Sequence, residues 1–166
     1  MAMLAPGGGR LLATLDIEAS SLGEFGYPIE IGFVLGNSRG IMCEFASLIK
    51  PRPQWIRPSA WSAESEAVHG IAQETLCCAS EADVICDLLD NMLGGLEVVV
   101  DGGSYDTYWL DALYHGRNCK FSLDHLTGIN PGWFFERKRK AAPQHRALSD
   151  ARWLWEVIAE QHFPAM

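Results

Sequence analysis

The sequence predicts an α/β fold, a mixed sheet made of a three-strand antiparallel meander plus two parallel strands, flanked by helices. Three observations predict it. Three apolar runs with strand-like content follow one another in the first fifty residues, separated by short turns. Beyond them, helical stretches alternate with short apolar runs, the order that lays parallel strands beneath helices. The composition, 48% apolar and 20% charged over 166 residues, is that of a globular domain and argues against a disordered chain or a fibrous repeat.

The elements follow in order. Residues 1–10, a Gly-rich stretch, read as a flexible tail, and 11–166 as a single domain. Strands are expected over 11–19 (LLATLDIEA), 29–35 (IEIGFVL) and 41–49 (IMCEFASLI). The five residues from Gly36 to Gly40 have hairpin chemistry, because Gly and Asn accept positive φ. Three prolines in 51–58 mark a loop, and a short helix is expected over 62–69. Residues 80–93 read as a helix with Ser80 as its cap and Val84, Ile85, Leu88, Leu89 and Leu93 on the apolar stripe. Gly94-Gly95 stops it. A fourth strand over 97–100 ends at Asp101-Gly102-Gly103, a helix follows over 104–115, and a fifth strand over 121–123. Residues 127–145 read as irregular or locally helical, with Pro131 and Pro143 as breakers, before a last helix over 146–161.

Several function classes drop away at this level. No apolar run approaches the ~18 residues of a membrane span, and the N-terminus lacks the pattern of a secretory signal. Five cysteines, an odd number without a C-x-x-C pair, argue against a disulfide framework or a zinc site and point to a reducing cytoplasm. Cys77-Cys78 lies in an apolar stretch where burial is the expectation. The formal charge of -8 weighs against a nucleic-acid partner. It is unevenly spread: Arg137, Lys138, Arg139, Lys140, Arg146 and Arg152 crowd into one segment.

Four acids occupy positions where apolar residues are expected. Asp16 and Glu18 are two apart in the first strand and so share a face. Buried, the two carboxylates need an offsetting partner. A hard divalent cation would supply one; a wet edge position would remove the need. Asp106 precedes Trp109 and Leu110 by three and four residues and lies on the core side of its helix, where the helix dipole alone would also favour it. Asp150 precedes Leu154, Val157 and Ile158 along the last helix's apolar stripe, at a depth that capping does not explain. Together, the four are best explained by a metal site. His145, at the loop-to-helix junction, would lean over that site and suits general-base work on a water.

These residues resemble the DEDDh superfamily of 3′–5′ exonucleases. The motifs stand here as LDIEASSLG with Asp16 and Glu18, DGGSYDTYWL with Asp106, and HRALSDA with His145 and Asp150 in H-x4-D spacing; Ala67-Val68-His69-Gly70-Ile71 resembles the family's V-H-G-I stretch. Asp101-Gly102-Gly103 departs from the His-Asn-Ala frequent in proofreading subunits. The resemblance spans 11–160. It implies a ribonuclease-H-like fold and two-metal hydrolysis, with two Mg²⁺ or Mn²⁺ ions held by the four acids. Asp16 would bridge both ions. Glu18 and Asp150 would hold the one bearing the attacking water, Asp106 would act on the second, and His145 would deprotonate the water. The implied substrate is single-stranded RNA or DNA, cut from its 3′ end to nucleoside 5′-monophosphates. Candidate substrate contacts are Leu22, Gly23, His69, Trp109 and Arg146, with Trp133-Phe134-Phe135 before the basic run as a stacking surface or an oligomer contact. A homodimer would supply further surface to so short a chain.

Overall fold

The computed structural model describes residues 10–141 and 144–163. The tail expected over 1–10 lies outside the described residues apart from Arg10, and so does Pro143. The first three strands are β1 (Leu12–Ala19), β2 (Pro28–Asn37) and β3 (Gly40–Lys50). Helix α1 (Ala63–His69), strand β4 (Ser80–Glu81) and helix α2 (Ala82–Leu93) follow. Next come β5 (Glu97–Val99), α3 (Ser104–Tyr114) and β6 (Ser122–Asp124). Helices α4 (Pro131–Lys140) and α5 (Ala147–His162) complete the order. The six-stranded sheet runs β4-β3-β2-β1-β5-β6, antiparallel within the β1–β3 meander and parallel at β1–β5, β5–β6 and β3–β4. No described helix is long and apolar enough to cross a membrane.

The two faces of β1 follow from its period of two. Ala13, Leu15, Ile17 and Ala19 point into the larger core, against Ile85, Leu89 and Leu93 of α2 and Trp109, Leu110 and Leu113 of α3. Leu12 points the other way, into a core with Val34, Val99 and the apolar stripe of α5. Thr14 shares that face, and its hydroxyl donates to the Ala151 carbonyl at 2.7 Å. Asp16 and Glu18 continue the same row. Their cross-strand partners on β2 are Gly32 and Glu30.

Those partners bring α5 down onto the sheet. A methyl at Gly32 would stand 2.4 Å from the Leu148 nitrogen and 2.6 Å from the Ala147 carbonyl carbon, so glycine alone admits the first turn of α5 there. Glu30, buried at 3% exposure, holds that turn in place. Its carboxylate takes a bidentate grip from the Arg146 guanidinium, at 2.6 and 3.0 Å, and the Ala147 N–H at 3.0 Å. The exchange Gly32→Ala should therefore cost about 1–3 kcal/mol through overpacking and lower Tm by several degrees. Gly23→Ala, whose methyl meets only the Ser21 hydroxyl at 3.6 Å, should leave Tm unchanged. A thermal melt of the two variants checks this.

Six expectations need correction. The sheet gains β4, too short to show an alternation. Ser80 belongs to it, so α2 begins at Ala82 without a side-chain cap. Val84 is exposed at 60%, since α2 buries the face of Ala82, Ile85, Cys86, Leu89 and Leu93. Pro131 starts a helix rather than breaking one: it sits in the first turn of α4, where its missing N–H costs nothing, behind the Asn130 cap. Cys77 and Cys78 are exposed, at the end of a 3₁₀ turn (Gln73–Cys78) that buries only Leu76. Finally, α5 starts at Ala147, which puts Asp150 in its first turn, so the helix dipole favours that acid after all.

Candidate metal centre and cleft

The carboxyl half of β1, the end of β5, the first turn of α5 and the end of α4 enclose a cleft of about 640 Å³. Asp16, Glu18, Asp101, Lys138, His145 and Asp150 all line it. Donor atoms of Glu18, His145 and Asp150 lie within 4.8 Å of one another. Asp106 enters from the opposite layer, buried at 3% exposure in the first turn of α3, its carboxylate accepting the Gly102 N–H at 2.7 Å. A methyl at Gly102 would meet that carboxylate at 2.7 Å and force it to shift.

His145 reaches the cleft through an unusual backbone. Its φ of 48° is left-handed, a conformation that costs a non-glycine residue of order 1–2 kcal/mol. The kink lies between α4 and α5, immediately before the Arg146–Glu30 clamp. It sets the ring beside Glu18 and Asp150.

The electrostatics are those of acids crowded together without counter-charge. Burial, then the charges of Glu18, Asp106, Asp101 and Asp150, hold the Asp16 carboxyl well above the usual carboxylate range. Glu18 is pushed up to about 7, first by burial and then by the charges of Asp150 and Glu30, with Arg146 opposing. Asp106 is pushed up to about 6 by burial and Asp101, against the Gly102 hydrogen bond and Lys138. Among the described residues no Lys or Arg forms an ion pair with any of the four acids. Four oxygen-donor groups and an imidazole, with the charged forms of Asp16, Glu18 and Asp106 disfavoured as they stand, suit one or two hard divalent cations.

Asp101 is differently employed. Its carboxylate accepts from the Lys138 ammonium at 2.6 Å, which ties α4 to the end of β5 and makes Asp101 a strut of the cleft wall. The other basic residues of this segment are also mostly engaged: Arg137 with Glu160, Lys140 with Glu136, Arg146 with Glu30, Arg152 with Glu44.

No protein-family model matches the chain, and no curated protein sequence does. Solved structures do. A full-length 3′-exonuclease matches over 97% of this chain with a TM-score of 0.69 and 14% identity; the chain spans 62% of that protein. The nuclease domain of 3′hExo, a DEDDh family member bound to rAMP, matches over 95% of this chain and 94% of its own length, with a TM-score of 0.65 and 15% identity. The chain shares the fold of that nuclease domain. Cell-death related nuclease 4 has it too, with a TM-score of 0.59 and 13% identity over 93% of this chain and 64% of that one.

On this fold the candidate substrate contacts separate into exposed and enclosed groups. Leu22, 69% exposed, and Gly23 lie in the loop after β1, free to meet a ligand. Trp109 is 2% exposed and offers no open ring face: it packs under that loop, where a methyl on Gly26 would strike it at 2.8 Å. His69 is 4% exposed, its Nδ1 accepting the Ile71 N–H while Nε2 has no partner among the described residues. Arg146 has its guanidinium on Glu30. Of the aromatic run before the basic segment, Phe134 is buried, Trp133 lies under the Arg137 guanidinium at 4.8 Å, and Phe135 is 64% exposed. Sequence reasoning missed Glu30 and the Asp101–Lys138 strut. The signal for Glu30 was an acid within an otherwise apolar strand.

Proposed function

We propose that this domain is a DEDDh-type 3′–5′ exonuclease. It hydrolyses phosphodiester bonds at the 3′ end of short single-stranded nucleic acid, RNA slightly ahead of DNA, and releases nucleoside 5′-monophosphates. The observation that supports this most is the gathering of Asp16, Glu18, Asp150 and His145 in one cleft, with Asp106 in electrostatic reach of Asp16, on this particular fold. Asp16, Glu18, Asp106 and Asp150 would hold two divalent cations, Mg²⁺ or Mn²⁺. Such ions, when bound, lower the pKa of a bound water and stabilise charge on the attacking and leaving oxygens. The chain's own residues do the rest. His145 takes the proton of the attacking water on a ring nitrogen. The Leu22-Gly23 loop lies beside the terminal nucleotide. Lys138, held on Asp101, keeps α4 against the cleft.

The test is a time course on 5′-labelled RNA and DNA oligomers with Mg²⁺, Mn²⁺ or EDTA. Stepwise shortening from the 3′ end that EDTA stops is expected, whereas tight binding without turnover would leave a non-catalytic binding module. His145→Ala should lower kcat by about 10²–10⁴-fold with a much smaller loss of metal affinity; an equal fall in both would remove the general-base role. A second reading, hydrolysis of dinucleotides, is favoured by the cleft's size, which suits a small ligand. Faster turnover of dinucleotides than of longer strands would select it.

A further inference from the structure

None of the five cysteines lines the cleft, and two of them are neighbours in the chain. Cys77 and Cys78 end the 3₁₀ turn before β4, both exposed, with sulfurs 3.4 Å apart. Of the remaining three, Cys86 is buried and its thiol pushed up to about 11, and Cys43 and Cys119 are half-buried. The Cys77 thiol is raised by the hydrogen bond and charge it shares with Cys78, against the opposing pull of Lys50.

Such a pair can close on itself as a disulfide or close on a third atom. The backbone decides between these. Neighbouring Cα atoms stand about 3.8 Å apart across a trans peptide, and a disulfide wants at least about 4.4 Å. No described peptide bond is cis. A chelate is free of this limit. Taking the ~2.3 Å of a zinc–thiolate bond as the measure, a linear S–M–S unit needs its sulfurs about 4.6 Å apart, and a right-angled unit about 3.3 Å. The observed 3.4 Å fits the right-angled case. A closed tetrahedral zinc site needs four ligands. The cluster of three or more His, Cys, Asp or Glu donors among the described residues lies elsewhere, at Glu18, His145 and Asp150.

We propose that Cys77 and Cys78 form a two-thiol binding site for a soft, pyramidal, thiophilic centre of the trivalent-arsenical class. The step involves no electron transfer. An organoarsenic oxide, R–As=O, exchanges its oxygen for two sulfurs; two As–S bonds form, and the oxygen leaves with both thiol protons as water. Neither the proposed nuclease reaction nor its acids take part, so the site stands or falls apart from them.

Phenylarsine oxide titrated against the full chain tests it, with intact mass and a count of reactive thiols as readouts. One equivalent should bind and remove two thiols from the count, and an added dithiol should release it. Cys77→Ser and Cys78→Ser should each weaken binding at least about 100-fold, the loss expected when a second tethered contact goes. Cys43→Ser should change nothing. Tight binding retained by either single variant at 77 or 78, or the loss of one thiol per arsenical, would overturn the proposal. So would ready closure of the pair to an internal disulfide by glutathione disulfide, because it would show that the backbone limit does not hold.

Discussion

Asp16→Ala should abolish mononucleotide release while the protein stays folded. Asp16 is the residue on which the charges of Glu18, Asp106, Asp101 and Asp150 all act. It sits in a central strand, between the antiparallel β2 and the parallel β5. Without it, on the proposed metal arrangement, Asp106 on one layer and Glu18 with Asp150 on the other would share no common ligand, and the donor set would fall into two halves. Folding is not the casualty. The substitution takes an unpaired, strongly perturbed carboxyl out of a half-buried position, and such a removal relieves the fold. Circular dichroism and a melt establish the fold, and the 5′-labelled oligomer assay gives the activity. Normal activity in a folded Asp16→Ala protein would sink the nuclease assignment.

Glu18→Gln should stabilise the metal-free chain while disabling it. Glu18 ordinarily titrates near 4.5 and is pushed up to about 7 in the fold. Between those values the folded chain holds a proton that the unfolded chain has released. Stability from this group is therefore fully present below about pH 4.5 and is lost as pH rises through about 7. Asp106, pushed up to about 6, acts in the same direction over a lower window. For Glu18 the loss is on the order of 2–3 kcal/mol after allowance for its partial exposure. In EDTA, the Tm difference between Glu18→Gln and the unaltered chain should be positive at pH 8 and approach zero only below about pH 4.5. A difference that is flat with pH, or negative at pH 8, would contradict the crowding of acids at the cleft. Divalent cations at pH 8 should raise the Tm of the unaltered chain and leave the variant much less affected.

The acids were legible because their positions break rules that hold elsewhere in their elements. A strand with Leu15, Ile17 and Ala19 facing one core announces Asp16 and Glu18 on the other face, and the meander was visible in three apolar runs with short turns. Helical spacing placed Asp106 correctly beside Trp109 and Leu110 on the inward side. Less legible were features that depend on distant partners. Glu30 looks like an ordinary strand acid until Arg146, 116 residues on, closes over it. Trp109 carries the same stacking potential whether open or enclosed, and only the loop holding Gly26 shows that it is enclosed. Pro131 serves equally as a helix breaker and as a first-turn residue, and the Asn130 cap decides for the latter. Burial at Cys77-Cys78 was expected from apolar neighbours, but a 3₁₀ turn of six residues has room to bury only Leu76.

The ion pairs of the basic segment have a consequence for how the protein meets a polyanion. Attraction to a nucleic-acid strand draws on the counterions that free cations displace from phosphates, at about 0.7 of a power of salt per contact for a single strand. Here Arg137, Lys138, Lys140, Arg146 and Arg152 already have protein carboxylates as their counterions. A bound strand releases few ions from such a surface. On the proposed nuclease reading, the encounter would thus be governed by the fit of one strand end in a small acidic cleft, and it should tolerate salt that would strip a protein from the length of a strand.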